Sequence, residues 1–422
     1  MAKARLISAI DIGSTKVTTL VAQIRDDEDG KLHIVGAATS PAKGIRKGQI
    51  VNIEEAVDSI VNSVEAAERM AGYNVAKAWV SVDGAHIASQ NSQGVVAVSN
   101  PHGEISPDDV NRVLEAARAV SLPASSEIVH VLPKSYTVDG QQGVKDPVGM
   151  TGVRLEVDTH IVTGITTAIK NLTKCIEEVG CDISGMVFGG LASSLSVLTD
   201  TEKELGIICI DIGGGTTDMV IYIEGSVAYT SVLPVGARNV TNDLAIGLRI
   251  SLESAEKIKL QLSDYKSKVK DKEKEDEIDL SPLALPEELK TISYKTLVEG
   301  IIRPRLNELF QAVSSEIKKS GYGGLTPAGV VLCGGGALTV GITESAKRIL
   351  SMPVRIGYPT GLSGLVDEIE NPAFAASAGL LKYSLSASEN SSSLLSFNDM
   401  FGKIPTKGVL SKLTGLLKSL LP

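Results

Sequence analysis

Asp11 and Asp211 stand two hundred residues apart, each just ahead of a glycine turn carrying hydroxyl side chains. The first setting is Ala9-Ile10-Asp11-Ile12-Gly13-Ser14-Thr15-Lys16, followed by the apolar run Val17 to Ile24. The second is Cys209-Ile210-Asp211-Ile212-Gly213-Gly214-Gly215-Thr216-Thr217-Asp218, followed by Met219 to Ile223. Glycines let the backbone approach a phosphate closely, and free amides with Ser/Thr hydroxyls can donate to its oxygens. An ionised Asp beside the turn only accepts, which suits a hydrated Mg²⁺ next to those phosphates. One Asp-x-Gly turn is more often structural than ligand-binding. Two copies with closely similar flanks favour a phosphate clamp. Neither matches the Gly-x4-Gly-Lys-Ser/Thr loop or the dinucleotide fingerprint.

Other residues could complete such a site. Gly334-Gly335-Gly336-Ala337 follows an apolar strand and precedes a helical pattern, so the backbone can pass close under a purine and sugar. The plainer reading is a strand-to-helix turn. Glu256 and Lys259, three apart on one helix, can present a carboxylate and an ammonium to ribose and base. A solvated ion pair would have the same spacing.

These residues need elements to hold them. Each acidic turn reads as the tip of a hairpin between a buried strand and a second β-rich strand. A strand from Leu32 to Thr39 leads to a helix capped by Asn52, with Glu55 at the capping-box position and Gly72 ending it. A strand from Ala78 to Asp83 follows. Between about Gly84 and His160 the texture changes to alternating strands (Val95 to Ser99, Ile128 to Val138, Val153 to Ile161) around one helix opened by Ser106-Pro107, an inserted α+β module. Two helices flank the strand Gly185 to Phe188, and the second hairpin comes next. Lys257 to Asp279 is a dense mixed-charge run, and Tyr294 to Ser320 predicts a long amphipathic helix. Strands and helices alternate in both halves, an α/β class with helices on mostly parallel or mixed sheets. From Ser384 to Lys407 the chain is Ser/Asn-rich and aperiodic, which reads as a disordered linker.

The 422 residues suffice for two or three domains or one two-lobed body, and 43% are apolar. The formal charge of −9 argues against broad nucleic-acid binding. Met1-Ala2-Lys3-Ala4-Arg5 runs directly into the first strand with no secretory signal, and no apolar run is long enough to span a bilayer. Cys175, Cys181, Cys209 and Cys333 form no CxxC pair, which points to a reducing cytosol without disulfides or zinc. At the far end, Val409, Leu410, Leu413, Leu416, Leu417, Leu420 and Leu421 fall on one helical face, with Lys412 and Lys418 among the polar remainder. A helix docked on the protein's own core is one reading. The polar linker and the lysines favour an in-plane anchor on an anionic membrane.

Together these elements carry the signature of the actin-like ATPase superfamily. Gly152-Val153-Arg154-Leu155, Leu191-Ala192-Ser193-Ser194, Glu204-Leu205-Gly206 and the block Asp211 to Asp218 resemble the FtsA-like family of bacterial cell-division proteins. The resemblance implies an actin-like two-lobed fold of two related halves. Residues 1–83 and 163–198 would form the first lobe core (1A), 84–162 the inserted subdomain (1C), 199–227 and 303–383 the second lobe core (2A), and 228–302 subdomain 2B. A 384–407 linker and a 408–422 membrane-targeting helix would complete the chain. It also implies ATP with Mg²⁺ in the interlobe cleft, self-assembly into filaments, and capture of the C-terminal peptide of the tubulin-like FtsZ. The location would be the cytoplasmic face of the inner membrane at the division septum, alongside other division partners.

Carried over by position, Asp11 with Gly13, Ser14, Thr15 and Lys16 would form the first phosphate loop, and Asp211 with Gly213, Gly214, Gly215 and Thr216 the second. Asp11 and Asp211 would hold Mg²⁺ through water. Gly334, Gly335, Gly336, Glu256 and Lys259 would hold the adenosine, with Gly236 and Asn239 bordering the sugar. Arg303, Arg305 and Glu308 match the docking helix for the FtsZ tail, though the same residues also read as an ordinary charged face. Hydrolysis needs a group that orients the attacking water. The segment linking the lobes, Phe188 to Ser194, has no carboxylate or amide side chain, so the expectation is firm binding with slow or negligible turnover, ATP acting as a structural and switching ligand. The alternatives are an actin-like pilus-assembly adaptor, which would not need the tail, and a superfamily kinase, for which no Asp base stands out.

Overall fold

The computed structural model describes residues 5–24, 32–100, 102–268, 277–287, 289–365 and 369–393. Its framework is two sheets of the same design. In the first, β1 (Arg5–Ile12), β2 (Lys16–Ile24) and β3 (Leu32–Pro41) form an antiparallel meander. The short pair β4 (Ile45–Arg46) and β5 (Gln49–Ile50) follows, and then β6 (Lys77–Val82) lies parallel to β1. The helix Ile53–Ala71 starts at Asn52, whose side chain accepts from the Glu55 amide, and stops at Gly72 with φ of 73°. The Asn52 and Gly72 caps match the sequence reading, but the Glu55 capping box does not form, because the Asn52 amide donates to Gly44 O at 3.1 Å.

The inserted subdomain leaves the first lobe after β6. It is an antiparallel sheet ordered β7 (Ala88–Ala97), β10 (Arg154–Ile165), β8 (Ser126–Val138), β9 (Gln141–Val144). The helix Pro107–Arg118 covers it, capped by the reciprocal Ser106–Asp109 pair, over a core that includes Val113, Leu155 and Val157. Next, β11 (Asp182–Phe188) returns to the first sheet, parallel to β6.

The second sheet repeats the plan. Strands β12 (Ile207–Ile212), β13 (Thr217–Ile223) and β14 (Ser226–Leu233) form the meander, with β17 (Val330–Cys333) and β18 (Val354–Ile356) parallel to β12. The central strand is buried along its whole length, which is why Ile207 to Ile212 is so apolar. Between the two parts of this sheet lie the helices Arg238–Leu248 and Leu252–Lys268 and the small pair β15 (Glu277–Asp279) and β16 (Thr291–Ser293). The charged run has a buried side, with Ile258 and Leu262 facing the core.

Three expectations change. The long helix is not uniform: Thr296–Ile302 winds in wider π turns before the α-helix Arg303–Ser320. Pro304 lacks an amide and crowds the carbonyl four residues earlier, which a widened turn relieves. Residues 303–383 do not all stay with the second lobe. Here β19 (Leu362–Gly364) pairs in parallel with β3 in the first sheet, and Tyr383 packs edge-on against Trp79 with ring centroids 5.4 Å apart. A three-residue strand carries no signal of which distant sheet it joins. Finally, the helix Ala375–Ser393 continues through the first part of the expected linker. Serine is only mildly unfavourable in a helix already nucleated, so composition alone overstates the break. The rest of the linker and the terminal helix, with Val409, Leu410, Lys412, Leu413, Leu416, Leu417, Lys418, Leu420 and Leu421, lie outside the described residues.

Candidate functional site

The two acidic turns share their internal geometry. Gly13 N donates to Lys16 O at 3.0 Å, and Gly213 N donates to Thr216 O at 2.9 Å. The strand registers also correspond, Asp11 opposite Thr18 and Asp211 opposite Asp218. The turns press on one another: a Cβ at Gly214 would collide with Thr15, and one at Gly215 with Ser14. Ser14 Oγ in turn accepts from Gly48 N at 2.8 Å.

Beside this contact is a cavity of about 620 Å³, inside the roughly 300–1,000 Å³ range of small-molecule sites. Asp11, Gly13, Ser14, Thr15, Lys16, Asp211, Gly213, Gly214, Thr216, Glu256, Lys259, Gly334, Gly335 and Gly336 all line it. Three expected residues do not. Gly215 faces the opposing turn, and Gly236 lies behind the second turn, where a Cβ would strike the carbonyls of Gly213 and Gly214. Asn239 accepts from Gly236 N at 3.3 Å. Gly236 and Asn239 therefore brace the turn, and their neighbours Ala237 and Arg238 reach the cavity instead.

Glu256 and Lys259 pair with the ammonium buried and the carboxylate half-exposed. Their ion pair is 2.7 Å long, Lys259 is buried, and Thr241 joins both side chains, donating to Glu256 at 2.5 Å and accepting from Lys259 at 2.9 Å. Gly334 shows why a glycine follows β17. Its φ is 80°, and any Cβ there would collide with the Asp211 carboxylate.

The charged groups at this site are desolvated by burial. Burial raises the Asp11 carboxyl above its ordinary value despite Lys16 and a 2.8 Å hydrogen bond from Ser81. Burial also brings Asp211 to about 6, against the opposing pull of a Ser193 hydrogen bond. Lys16 is lowered by burial although Asp11 and Asp211 favour its charge. Its Nζ crosses the cleft to donate to Ala373 O at 2.7 Å and lies 4.3 Å from the Phe374 ring centroid.

Sequence reading missed two members of this cluster. Asp83 and Asp218 also line the cavity. Burial first, and then Asp11 and Asp211, push the Asp83 carboxyl well above the usual range. Burial and then Asp83 do the same to Asp218. A carboxylate directly after the apolar strand β6 was the available signal, because ligands collect at the carboxyl ends of parallel strands. Among the described residues, no three acidic, His or Cys side chains converge to ligate a metal directly. The donor set would suit a hydrated Mg²⁺, which Asp11 and Asp211 would hold through water.

The expected docking residues lie on the helix Arg303–Ser320. Arg303 pairs with Glu299. Arg305 grips Asp243 with two bonds, at 2.5 and 2.9 Å, and reaches Glu308 at 2.6 Å.

Two equivalent meander sheets facing a cleft, with a subdomain inserted within the first, define a two-lobed actin-like fold. Solved structures share it: a chain of the PilM-PilN type IV pilus biogenesis complex aligns over 90% of this chain and 98% of its own at TM-score 0.63 and 14% identity. MreB5 of Spiroplasma citri bound to AMPPNP aligns over 92% and 98% at TM-score 0.52 and 14% identity. Family profiles narrow the class. "SHS2 domain inserted in FTSA" matches residues 84–163, and "Cell division protein FtsA" matches residues 208–379. The cell-division protein FtsA of Pseudomonas aeruginosa is 41% identical over 381 residues, covering 90% of this chain and 89% of the relative. That of Escherichia coli K12 is 33% identical over 386 residues, 90% of each. The chain belongs to the FtsA family of actin-like bacterial cell-division proteins.

Proposed function

We propose that this protein binds Mg-ATP between its lobes, polymerises with it, and tethers FtsZ filaments to the inner face of the cytoplasmic membrane at the septum while helping to recruit other division proteins. The observation that carries the nucleotide reading is the pair of matched turns in contact beside a cavity holding Lys16 and the acidic cluster. Each turn offers amides and hydroxyls to phosphate oxygens, and Lys16 supplies a point charge. The Thr241–Glu256–Lys259 group lies on the adenosine side, flanked by Leu252, Leu260 and Leu338. Those three leucines are 48%, 56% and 36% exposed, an apolar surface that a purine would cover.

Assembly and membrane binding reinforce one another in this reading. A short helix bearing Gly415 binds a bilayer weakly alone, and a filament presenting many copies gains avidity. Ending the chain at Ser393 is expected to abolish co-sedimentation with anionic vesicles while leaving ATP affinity unchanged. Truncated protein that still pellets with vesicles would remove the anchor from the proposal. Electron microscopy of both forms with ATP on a lipid monolayer tests the whole scheme, filaments on lipid being expected only from the full chain.

The helix Arg303–Ser320 is the FtsZ-tail dock in the same reading, because its start carries the charged set Arg303, Arg305 and Glu308, with Arg305 held in place by Asp243 and Glu308. Arg305→Ala is expected to weaken binding of an acidic FtsZ C-terminal peptide by about tenfold, the scale of one charge-assisted bond, with no change in ATP affinity. Equal peptide affinity in a fluorescence-polarisation titration would rule this face out.

A further inference from the structure

Beneath the segment that joins the lobes, the chain brings together two carboxylates that no local motif connects. Gly189 N donates to Asp83 Oδ1 at 3.0 Å, and a Cβ at Gly189 would collide with both Asp83 oxygens. A Cβ at Gly190 would lie 3.0 Å from Asp218 Cβ. Asp218 is 5% exposed, lines the cavity, and leaves its Oδ1 without a hydrogen-bond donor from the described protein. A buried acceptor left unpaired is costly, by about 1–3 kcal/mol, and a polar site with several convergent acceptors suits a water molecule. Hydrogen-bonded Asp83 and unpartnered Asp218 therefore face one cavity that also contains both phosphate turns.

We propose that Asp83 and Asp218 together hold the water that attacks the terminal phosphate of ATP, with Asp83 as the proton acceptor; this rests on the cleft being the ATP site. In the step, the water oxygen bonds to the terminal phosphorus as that phosphorus parts from the bridging oxygen. The electron pair leaves on ADP, the water proton passes to the Asp83 carboxylate, and inorganic phosphate departs as the proton returns to solvent. The linking segment lacks a water-orienting side chain of its own, and Asp83 supplies one from the end of β6. Held by the Gly189 amide, Asp83 supports slow turnover.

The test uses full-length protein with Mg-ATP, measuring ATP affinity by calorimetry and phosphate release in single turnover. Asp83→Asn keeps an oxygen for the Gly189 amide and removes a buried charge, so the fold is not at risk; its melting curve is recorded alongside. The expected result is a hydrolysis rate lowered at least about 100-fold, the low end of general-base contributions, with ATP affinity changed less than threefold. Asp218→Asn is expected to slow the same step by at least tenfold. An unchanged rate in Asp83→Asn, or wild-type protein that binds ATP and releases no phosphate, overturns the assignment. Wild-type protein that fails to bind ATP instead overturns the nucleotide site itself, which the calorimetry detects separately.

Discussion

Asp211→Asn is expected to make the nucleotide-free protein more stable at pH 7.5 and yet nearly unable to bind Mg-ATP. Burial holds the Asp211 carboxyl near 6, above its ordinary 3.8. The folded state therefore binds a proton there more tightly than the unfolded chain does. Such a group favours folding fully below pH 3.8, and that contribution is lost as pH rises through 6. Above pH 7 the folded protein carries the cost of a buried charge, about 3 kcal/mol for this displacement. Asparagine has the same shape, carries no charge, and can still accept from Ser193. The two proteins should be equally stable near pH 4, diverge between pH 4 and 6, and differ by up to about 3 kcal/mol at pH 7.5 in urea unfolding. Mg-ATP affinity should fall at least about 100-fold, because a neutral amide cannot offset the cation's charge. Removing one carboxylate gains stability and loses the ligand, a trade common where a site is built for a charge the empty protein lacks. Parallel stability curves across this pH range would show that folding does not raise the proton affinity of Asp211.

Lys16→Ala is the second large effect. Nζ sits at the tip of the first turn and is tied to Ala373 O and the Phe374 face. Loss of a charge-assisted contact to phosphate costs about 1.5–3 kcal/mol, or roughly 10- to 100-fold in ATP affinity. The effect on the empty protein is smaller. Burial already lowers the lysine's own proton affinity, so its removal relieves a desolvated ammonium even as it breaks the cross-cleft bond. The melting temperature should barely move while calorimetry records weak binding. Tight ATP binding by the variant would place the phosphates away from the first turn.

Much of this site was legible along the chain because its parts are local. The Asp11 and Asp211 turns each occupy a few consecutive residues, and the bond from the first glycine amide to the carbonyl three residues on depends only on that local run. Glu256 and Lys259 meet because helical spacing puts residues three apart on one face. Asn52 and Gly72 bound their helix by side-chain acceptance and positive φ. Each of these is decided within about one turn of chain.

The rest depended on where separate segments converge. Asp83 and Gly189 are 106 residues apart, and only the parallel alignment of β6 with β11 carries one beneath the other. Asp218 was visible as the end of a motif, but its role follows from facing Asp83. Gly236 and Asn239 looked like ligand residues, yet the close packing of their backbone against the second turn puts them behind it. The pairing of β19 with β3 likewise joins residues 330 apart, and a three-residue strand has no periodicity to announce its partner. Local hydrogen bonding and side-chain spacing thus specified the two phosphate turns. That Asp83 and Asp218 also gather beneath the lobe junction was decided by long-range strand pairing, which brings charges together at a desolvation cost that no local pattern records.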